Sequence, residues 1–522
     1  MQRSFKKQSL ALLLTSLFFL FTACSNTSPQ PEKELLSRQN TVNPDKHSPL
    51  LKYLSKTDKK LAKSSAFYPL PLPMDALAAR LFLVDKAKST LDVQYYIFEN
   101  DTIGTVFATH LLKAAQRGVK VRILLDDMGT TGKDSSIQTI ATHPNIDFHL
   151  FNPNMLRTSF RNMALILDVE HLGKRMHNKA LIADGIAAII GGRNIGDVYF
   201  ASSTETLFLD YDVLAIGNVV SKLNKEFSLY WNSKEVKSSK KVLTDRSKLS
   251  KQELKKELLH KLNTFEKSKI GKKLATCSFN KKIVQNSLVL TVSNDATLYY
   301  DHPSKVSNNE NNSKYHISSH LSRNLTRIKK SAIIISPYFI PSEMMLKTLK
   351  QLRQKGVEVT VLTNSLASTD VAPVYAGYKE SIKPLLDMGI KLYEVKSRSF
   401  DALLKSKGMK QLPSISLHTK MIILDDNRLI VGSANLDPRS NKLNTELIVI
   451  IDSKKLAKGH RDTLRKIINT KNMYLLSLQK GNIIWKTIEN GKMKVYRKAP
   501  NTSPLKRLGT DIMGLLPIKG YL

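Results

Sequence analysis

Only two cysteines, Cys24 and Cys277, occur in 522 residues, which excludes a disulfide framework. Acidic residues are also scarce: 44 Asp and Glu face 81 Lys and Arg, a formal net charge of +37. Neither cysteines nor carboxylates cluster in a way that would build a metal site. The cationic surplus favours an anionic partner, whether nucleic acid, anionic lipid or a phosphate-bearing substrate, and does not choose among them. Apolar residues are plentiful: at 42%, they suffice for two packed domains with sizeable cores.

At the start, Arg3, Lys6 and Lys7 precede the apolar run Leu10–Ala23. A basic start and an apolar run too short for an ordinary spanning helix read as a secretory signal over residues 1–23. The run stops at Cys24 in "LFTACSN", which resembles the bacterial lipobox, with Phe21 where leucine is usual. That resemblance implies lipidation at Cys24; an uncleaved anchor or a plain signal are the other readings. The protein is then expected to be a membrane-anchored lipoprotein facing the periplasm, with residues 24–65 as a polar tether containing Pro29, Pro31 and Pro44. Cys277 is left alone and is expected to be a small buried hydrophobe.

Regular structure is expected from near Met74. "LDVQYYIF" is strand-like, "VFATHLLKAAQRG" is a helix closed by Gly118, and "VKVRILLDD" is a strand. The order recurs in "SAIIISPYFI", "MLKTLKQLRQKG" and "VEVTVLTNS". Such a duplication predicts an α/β fold: two similar domains, 66–285 and 286–455, packed as a pseudo-dimer. Two segments fall outside the repeat. Ser233–Lys282 is lysine-rich, with Leu243, Leu249, Leu254, Leu258 and Leu262 at loosely helical spacing; it reads as an amphipathic linker or insertion, or as a solvated surface helix. The extension 456–522 ends with Arg497, Lys498, Lys506 and Arg507 before Leu515, Leu516, Tyr521 and Leu522, an order suited to an anionic bilayer or to packing on the body.

The strongest pattern also occurs twice. "HNKALIADGIAAIIGGRN" carries His177, Lys179, Asp184, Gly192 and Asn194; "HTKMIILDDNRLIVGSAN" carries His418, Lys420, Asp425, Ser433 and Asn435 at the same offsets. On a strand, residues two apart share a face, so each histidine is expected beside its lysine. Asp184 and Asp425 fall near a turn and should tie lysine or turn backbone in place. The small residues at 191–192 and 432–433 should let a substrate approach, and Asn194 and Asn435 offer amides at the rim. Two imidazoles and two ammonium groups in facing domains suit a phosphodiester: one histidine attacks phosphorus, the other protonates the leaving alcohol, and the lysines balance charge. Nearby lysines would repel a metal ion, and no cofactor is expected. Each histidine needs an orienting acid. Glu446 follows the second motif; Asp210 and Asp212 follow the first, Asp210 being preferred.

HxKxxxxD followed by GG or GS and Asn, twice in one chain, resembles the phospholipase D superfamily. "HTKMIILDDNRLIVGSANLDPRSNKLNTE" looks like the second motif of bacterial cardiolipin synthases, and "RMHNKALIADGIAAIIGGRNIGDVYF" with "LFLDYDVLAIG" is similar to their C branch. The resemblance implies a metal-free phosphohistidine mechanism, with His177 as nucleophile and His418 as acid and base. It implies phosphatidyl transfer between phospholipids, phosphatidylglycerol and possibly phosphatidylethanolamine, at an anionic membrane surface. It names no helper protein. A phospholipase D using water, an endonuclease and an inactive binding protein are the rivals; export and the anchor argue against a nucleic-acid partner.

Overall fold

The computed structural model describes residues 43–54, 61, 63–154, 173–243, 251–307, 316–398 and 413–515. Cys24, the signal segment, Leu249 and the last residues of the tail lie outside the described residues. Strands are numbered along the chain. The first half supplies β1 (Ser65–Leu70), β2 (Thr90–Ile97), β3 (Lys120–Gly129), β4 (Ile146–Phe151), β5 (Ala180–Ala183), β6 (Ala187–Gly191), β7 (Thr206–Leu209), β8 (Asp212–Gly217), β9 (Val236–Ser238) and β10 (Thr291–Ser293). The second supplies β11 (Ala296–Tyr300), β12 (Ser331–Ile335), β13 (Glu358–Asn364), β14 (Lys391–Val395), β15 (Ser414–Leu417), β16 (Met421–Leu424), β17 (Arg428–Gly432), β18 (Leu447–Asp452), β19 (Met473–Gln479), β20 (Asn482–Glu489) and β21 (Lys492–Tyr496).

One sheet runs β10-β1-β8-β6-β5-β2-β3-β4-β9 and the other β11-β18-β17-β16-β12-β13-β14-β19-β20-β21. The stretch from β1 to β4 matches in order that from β11 to β14, with a parallel trio in each, β2-β3-β4 and β12-β13-β14. The chain is thus a duplicated α/β protein built of two related sheets covered by helices. Local chemistry repeats with it. Asp101 accepts the Gly104 amide at 2.9 Å to open the helix Thr102–Gln116, and Ser342 accepts that of Met345 at 3.3 Å to open Glu343–Gln354. Each helix is followed by a glycine at positive φ, Gly118 at 97° and Gly356 at 79°.

Strands near each centre read as continuous apolar runs because both faces are covered. In β5, Leu181 and Ala183 face an outer core, while Ala180 and Ile182 face a core shared between the halves. In β16, Ile422 and Leu424 face the other outer core, and Met421 and Ile423 join the shared one. Beside this core, β7 and β15 pair in parallel as a separate two-stranded ladder between the halves.

The sheets correct the expected divisions of the chain. Residues after 285 return to the first sheet, since β10 pairs with β1. Residues after 455 add β19, β20 and β21 to the second sheet, because β14 leaves an open edge that β19 fills. The lysine-rich segment behaves as an amphipathic insertion and not as a solvated helix: in Lys251–Lys267 the side chains of Leu258, Leu262 and Phe265 are buried in the first core. Cys277 is half-buried against that core, and burial pushes its thiol up to about 11.

Candidate active site

The segments leading into β5 and β16 bond across the halves. The His177 amide donates to Thr445 O at 2.9 Å and the Thr445 amide to Arg175 O at 2.9 Å. The amides of His418 and Thr419 donate to Leu209 O at 2.8 and 2.9 Å, continuing the β7–β15 ladder. His177 and Lys179 therefore precede their strand instead of lying in it: β5 begins at Ala180, because the preceding backbone serves the other half.

Each imidazole meets a carboxylate from the opposite half. His177 Nδ1 lies 2.8 Å from Glu446 Oε2, and His418 Nδ1 lies 2.6 Å from Asp210 Oδ2. A carboxylate accepts, which assigns the proton to Nδ1 and leaves the Nε2 lone pair for chemistry. Glu446 also accepts from Ser433 Oγ at 2.5 Å and Ser440 Oγ at 2.7 Å; Asp210 accepts the Tyr211 amide at 2.7 Å. Lys179 and Lys420, 1% and 4% exposed, each donate to the carbonyl of the motif histidine, at 2.7 and 2.6 Å. An ammonium has three protons, so two remain on each lysine for an anion.

Burial governs the charges. It lowers His177 to about 4, with Lys179 adding and Glu446 opposing, and holds His418 well below its usual range, with Lys420 adding. It also lowers Lys179 to about 7 and depresses Lys420. Burial would raise Glu446, but His177, Lys179 and the Ser433 hydroxyl outweigh it and keep the carboxyl below its ordinary value. The cluster thus holds two neutral imidazoles beside two cations competing in one buried space. An arriving anion would relieve that competition.

The motif aspartates act elsewhere. Asp184 accepts from the amides of Lys88, Ser89 and Thr90 at 3.0, 2.8 and 3.0 Å and from Ser48 Oγ at 2.6 Å. Asp425 accepts from the amides of Lys329, Lys330 and Ser331 at 2.7, 2.7 and 3.0 Å. Both sit at positive φ, 53° and 48°, separated from the motif lysines by a four-residue strand roughly 13 Å long at ~3.3 Å per residue. They fasten the starts of β2 and β12 and do not join the imidazole cluster.

The small residues serve the acids. A Cβ on Gly192 would lie 2.2 Å from Asp210 Oδ1, and one on Gly191 would lie 2.1 Å from Asp212 Oδ1. The space expected for a substrate is filled by protein carboxylates. Ser433 replaces Gly192 in the second copy, and its hydroxyl becomes a donor to Glu446. Asn194 accepts the Ile97 amide at 3.1 Å and donates one amide proton to the Tyr199 hydroxyl at 2.9 Å, so it braces the wall. Asn435 differs: its Oδ1 is buried without a hydrogen-bond partner among the described residues. Asp212, the other acid considered, pairs with Arg80 at 2.9 Å and Arg193 at 3.0 Å behind the site.

Other residues were not evident from the pattern. Tyr96 stands edge-on to His177 at 5.2 Å between ring centroids, and Tyr199 and Phe208 flank His418 at 5.3 and 5.1 Å. The aromatic pair in "LDVQYYIF" and the phenylalanine two before Asp210 were the available signals. Asn178 donates to Glu226 Oε1 at 2.8 Å and accepts from Thr445 Oγ1 at 2.9 Å, linking the first motif to the residue beside Glu446. Burial raises Glu226 to about 7. Among the described residues, no group of three or more His, Cys, Asp or Glu is placed to hold a metal ion.

Comparison with known proteins agrees with this geometry. The family described as "Cardiolipin synthase, PLD-like domain" matches twice, over residues 82–231 and 321–468. Cardiolipin synthase C of Escherichia coli K12 is 36% identical over 475 residues, covering 87% of this chain and 96% of that protein. A cardiolipin synthase of Staphylococcus aureus N315 is 26% identical over 376 residues, covering 72% of this chain and 61% of that one. The crystal structure of phosphatidylserine synthase from Haemophilus influenzae shares the fold, with a TM-score of 0.54 at 13% identity, covering 90% of this chain and all of that one. With two matching repeats and a relative aligned over nearly its full length, the chain belongs to the cardiolipin synthase family of phospholipase D-like proteins.

Proposed function

We propose that the protein is a membrane-tethered phosphatidyltransferase that forms cardiolipin from phosphatidylglycerol and a second phospholipid. The crossed pairs His177–Glu446 and His418–Asp210 carry this reading, since they make one site from both halves. His177 Nε2 attacks phosphorus, forming a P–N bond as the P–O bond to the leaving alcohol breaks. His418 gives that alcohol its proton. It then takes a proton from the hydroxyl of a second lipid, which attacks phosphorus and releases His177. The phosphodiester's own charge offsets Lys179 and Lys420 and raises His418, so substrate binding helps to load the acid with its proton. Both lysines then stabilise charge on the non-bridging oxygens.

The tether is assigned to a lipidated Cys24, facing the periplasm. Among the described residues no helix is long and apolar enough to cross a membrane. Lipid mass spectrometry of a host lacking its own cardiolipin synthases tests the reaction. Cardiolipin should appear with this chain and not with its His177→Ala variant. Phosphatidic acid without cardiolipin would replace transfer by hydrolysis.

A further inference from the structure

The last helix, Pro504–Leu515, is amphipathic in an unusual sense: its apolar residues face away from the protein. Leu505, Leu508, Ile512 and Leu515 are 80, 57, 54 and 86% exposed. Their spacing of three, four and three places them in one row, at about 100° per residue. Thr510, the helix's buried residue, falls on the opposite side, and Lys379 pairs with Asp511 to fix the helix to the body at 2.5 Å. The body therefore covers the polar edge and leaves the apolar one bare, where folding alone would favour the reverse. A groove of about 810 Å³ beside the helix, bordered by Leu508 of the row, carries Lys480, Arg497, Lys498 and Arg507 with Asp511 as its carboxylate among apolar side chains such as Trp485. An apolar row bordered by cations matches one surface, the headgroup layer of an anionic bilayer.

We infer that Pro504–Leu515 is an interfacial docking helix that lies in the plane of an anionic membrane, inserting Leu505, Leu508, Ile512 and Leu515 among acyl chains while the neighbouring basic groove takes lipid phosphates. This surface is separate from an N-terminal anchor, which holds the chain near a membrane without fixing how its body faces it. It does not depend on which reaction the buried site performs.

The test uses the full chain carrying Leu508→Trp, mixed with vesicles whose acyl chains are brominated. With phosphatidylglycerol in the vesicles, the new tryptophan should be quenched relative to the parent, whose Trp231 and Trp485 set the background. With phosphatidylcholine alone, the added quenching should vanish even if the N-terminus stays bound. Adding Lys480→Glu and Lys498→Glu, both in the groove, should weaken the anionic response roughly tenfold or more, because each lysine near the surface adds its own attraction to anionic lipid. Circular dichroism and melting confirm that each variant is folded. Equal quenching in both vesicle types would overturn the anionic recognition. Absence of quenching in both would overturn the docking helix, with light scattering showing whether a second copy covers the row and tail truncation whether residues 516–522 do. Because quenching is read without turnover, an inactive enzyme would leave this result standing.

Discussion

Replacing Glu446 by Gln tests the crossed arrangement directly. The substitution keeps shape and volume but removes the charge that accepts from His177 Nδ1 at 2.8 Å. A buried hydrogen bond to a charged group contributes about 1.5–3 kcal/mol, which translates into roughly a 10- to 150-fold loss in the step it supports. A second effect adds to this. The amide of Gln can donate to Nδ1 and draw the ring into the other tautomer, removing the Nε2 lone pair needed for attack. Ser440, which donates to Oε1, can still bond the amide oxygen, and Ser433, now at Oε2, can turn its hydroxyl to accept from the amide nitrogen, so the fold should hold and melting should change little. The affected step should be formation of the phosphatidyl-enzyme. In Asp210→Asn, by contrast, the weakened group is His418, which serves both steps, so labelling should slow but labelled enzyme should still accumulate because release slows as well. Single-turnover reactions with radiolabelled phosphatidylglycerol, quenched in denaturant at neutral pH, measure both. If Glu446→Gln labels normally and stalls on release, while Asp210→Asn fails to label, His418 is the nucleophile and the roles reverse. If both variants label and turn over as the parent does, the carboxylates do not orient the rings at all.

The pH profile of kcat/KM should rise as His177 loses its proton near 4 and fall as Lys179 becomes neutral near 7, since attack needs a neutral ring and phosphate binding a charged lysine. Lys179→Arg, which stays charged, should carry activity further into alkali; a parent profile flat from about pH 7 to 9 would refute this role. Asp184→Ala should cost about 2–4 kcal/mol in stability, because it strips acceptors from three amides and a hydroxyl, while the folded fraction keeps most of its turnover. Asp425→Ala should cost less, since the amides of Lys329 and Lys330 are exposed; denaturant midpoints with kcat decide both, and lost turnover at unchanged stability would place these aspartates in the chemistry. Cys24→Ala should release more protein from membranes in high salt, which screens basic attraction beyond ~10 Å at 0.1 M but leaves acyl chains, at about 0.8 kcal/mol per CH₂, unaffected. An unmodified mature mass at Cys24 in salt-washable parent protein would rule out the lipid anchor.

Local signals determined much of this protein. The alternation of apolar strands and capped helices, written twice, specified a duplicated α/β fold, because period and capping are properties of neighbouring residues. The two histidine–lysine motifs were equally legible, as each copy fits within a few residues and the second corroborates the first. Glu446 and Asp210 could be chosen as acids from their places downstream, yet their partners could not. The bonds they make span 269 and 208 residues, and only the shared core and the β7–β15 ladder bring those positions together. The same holds for Gly192, whose missing Cβ makes room for Asp210 once β6 and β8 are side by side. A lysine's pattern also cannot reveal that Lys179 is held to about 7, since that depends on water excluded by both halves. The tail showed its basic and apolar composition plainly, but which side of Pro504–Leu515 faces outward depends on where Thr510 and Asp511 meet the body. Sequence spacing fixes which residues share a face; tertiary packing decides what that face meets, because burial and long-range pairing are properties of the whole chain.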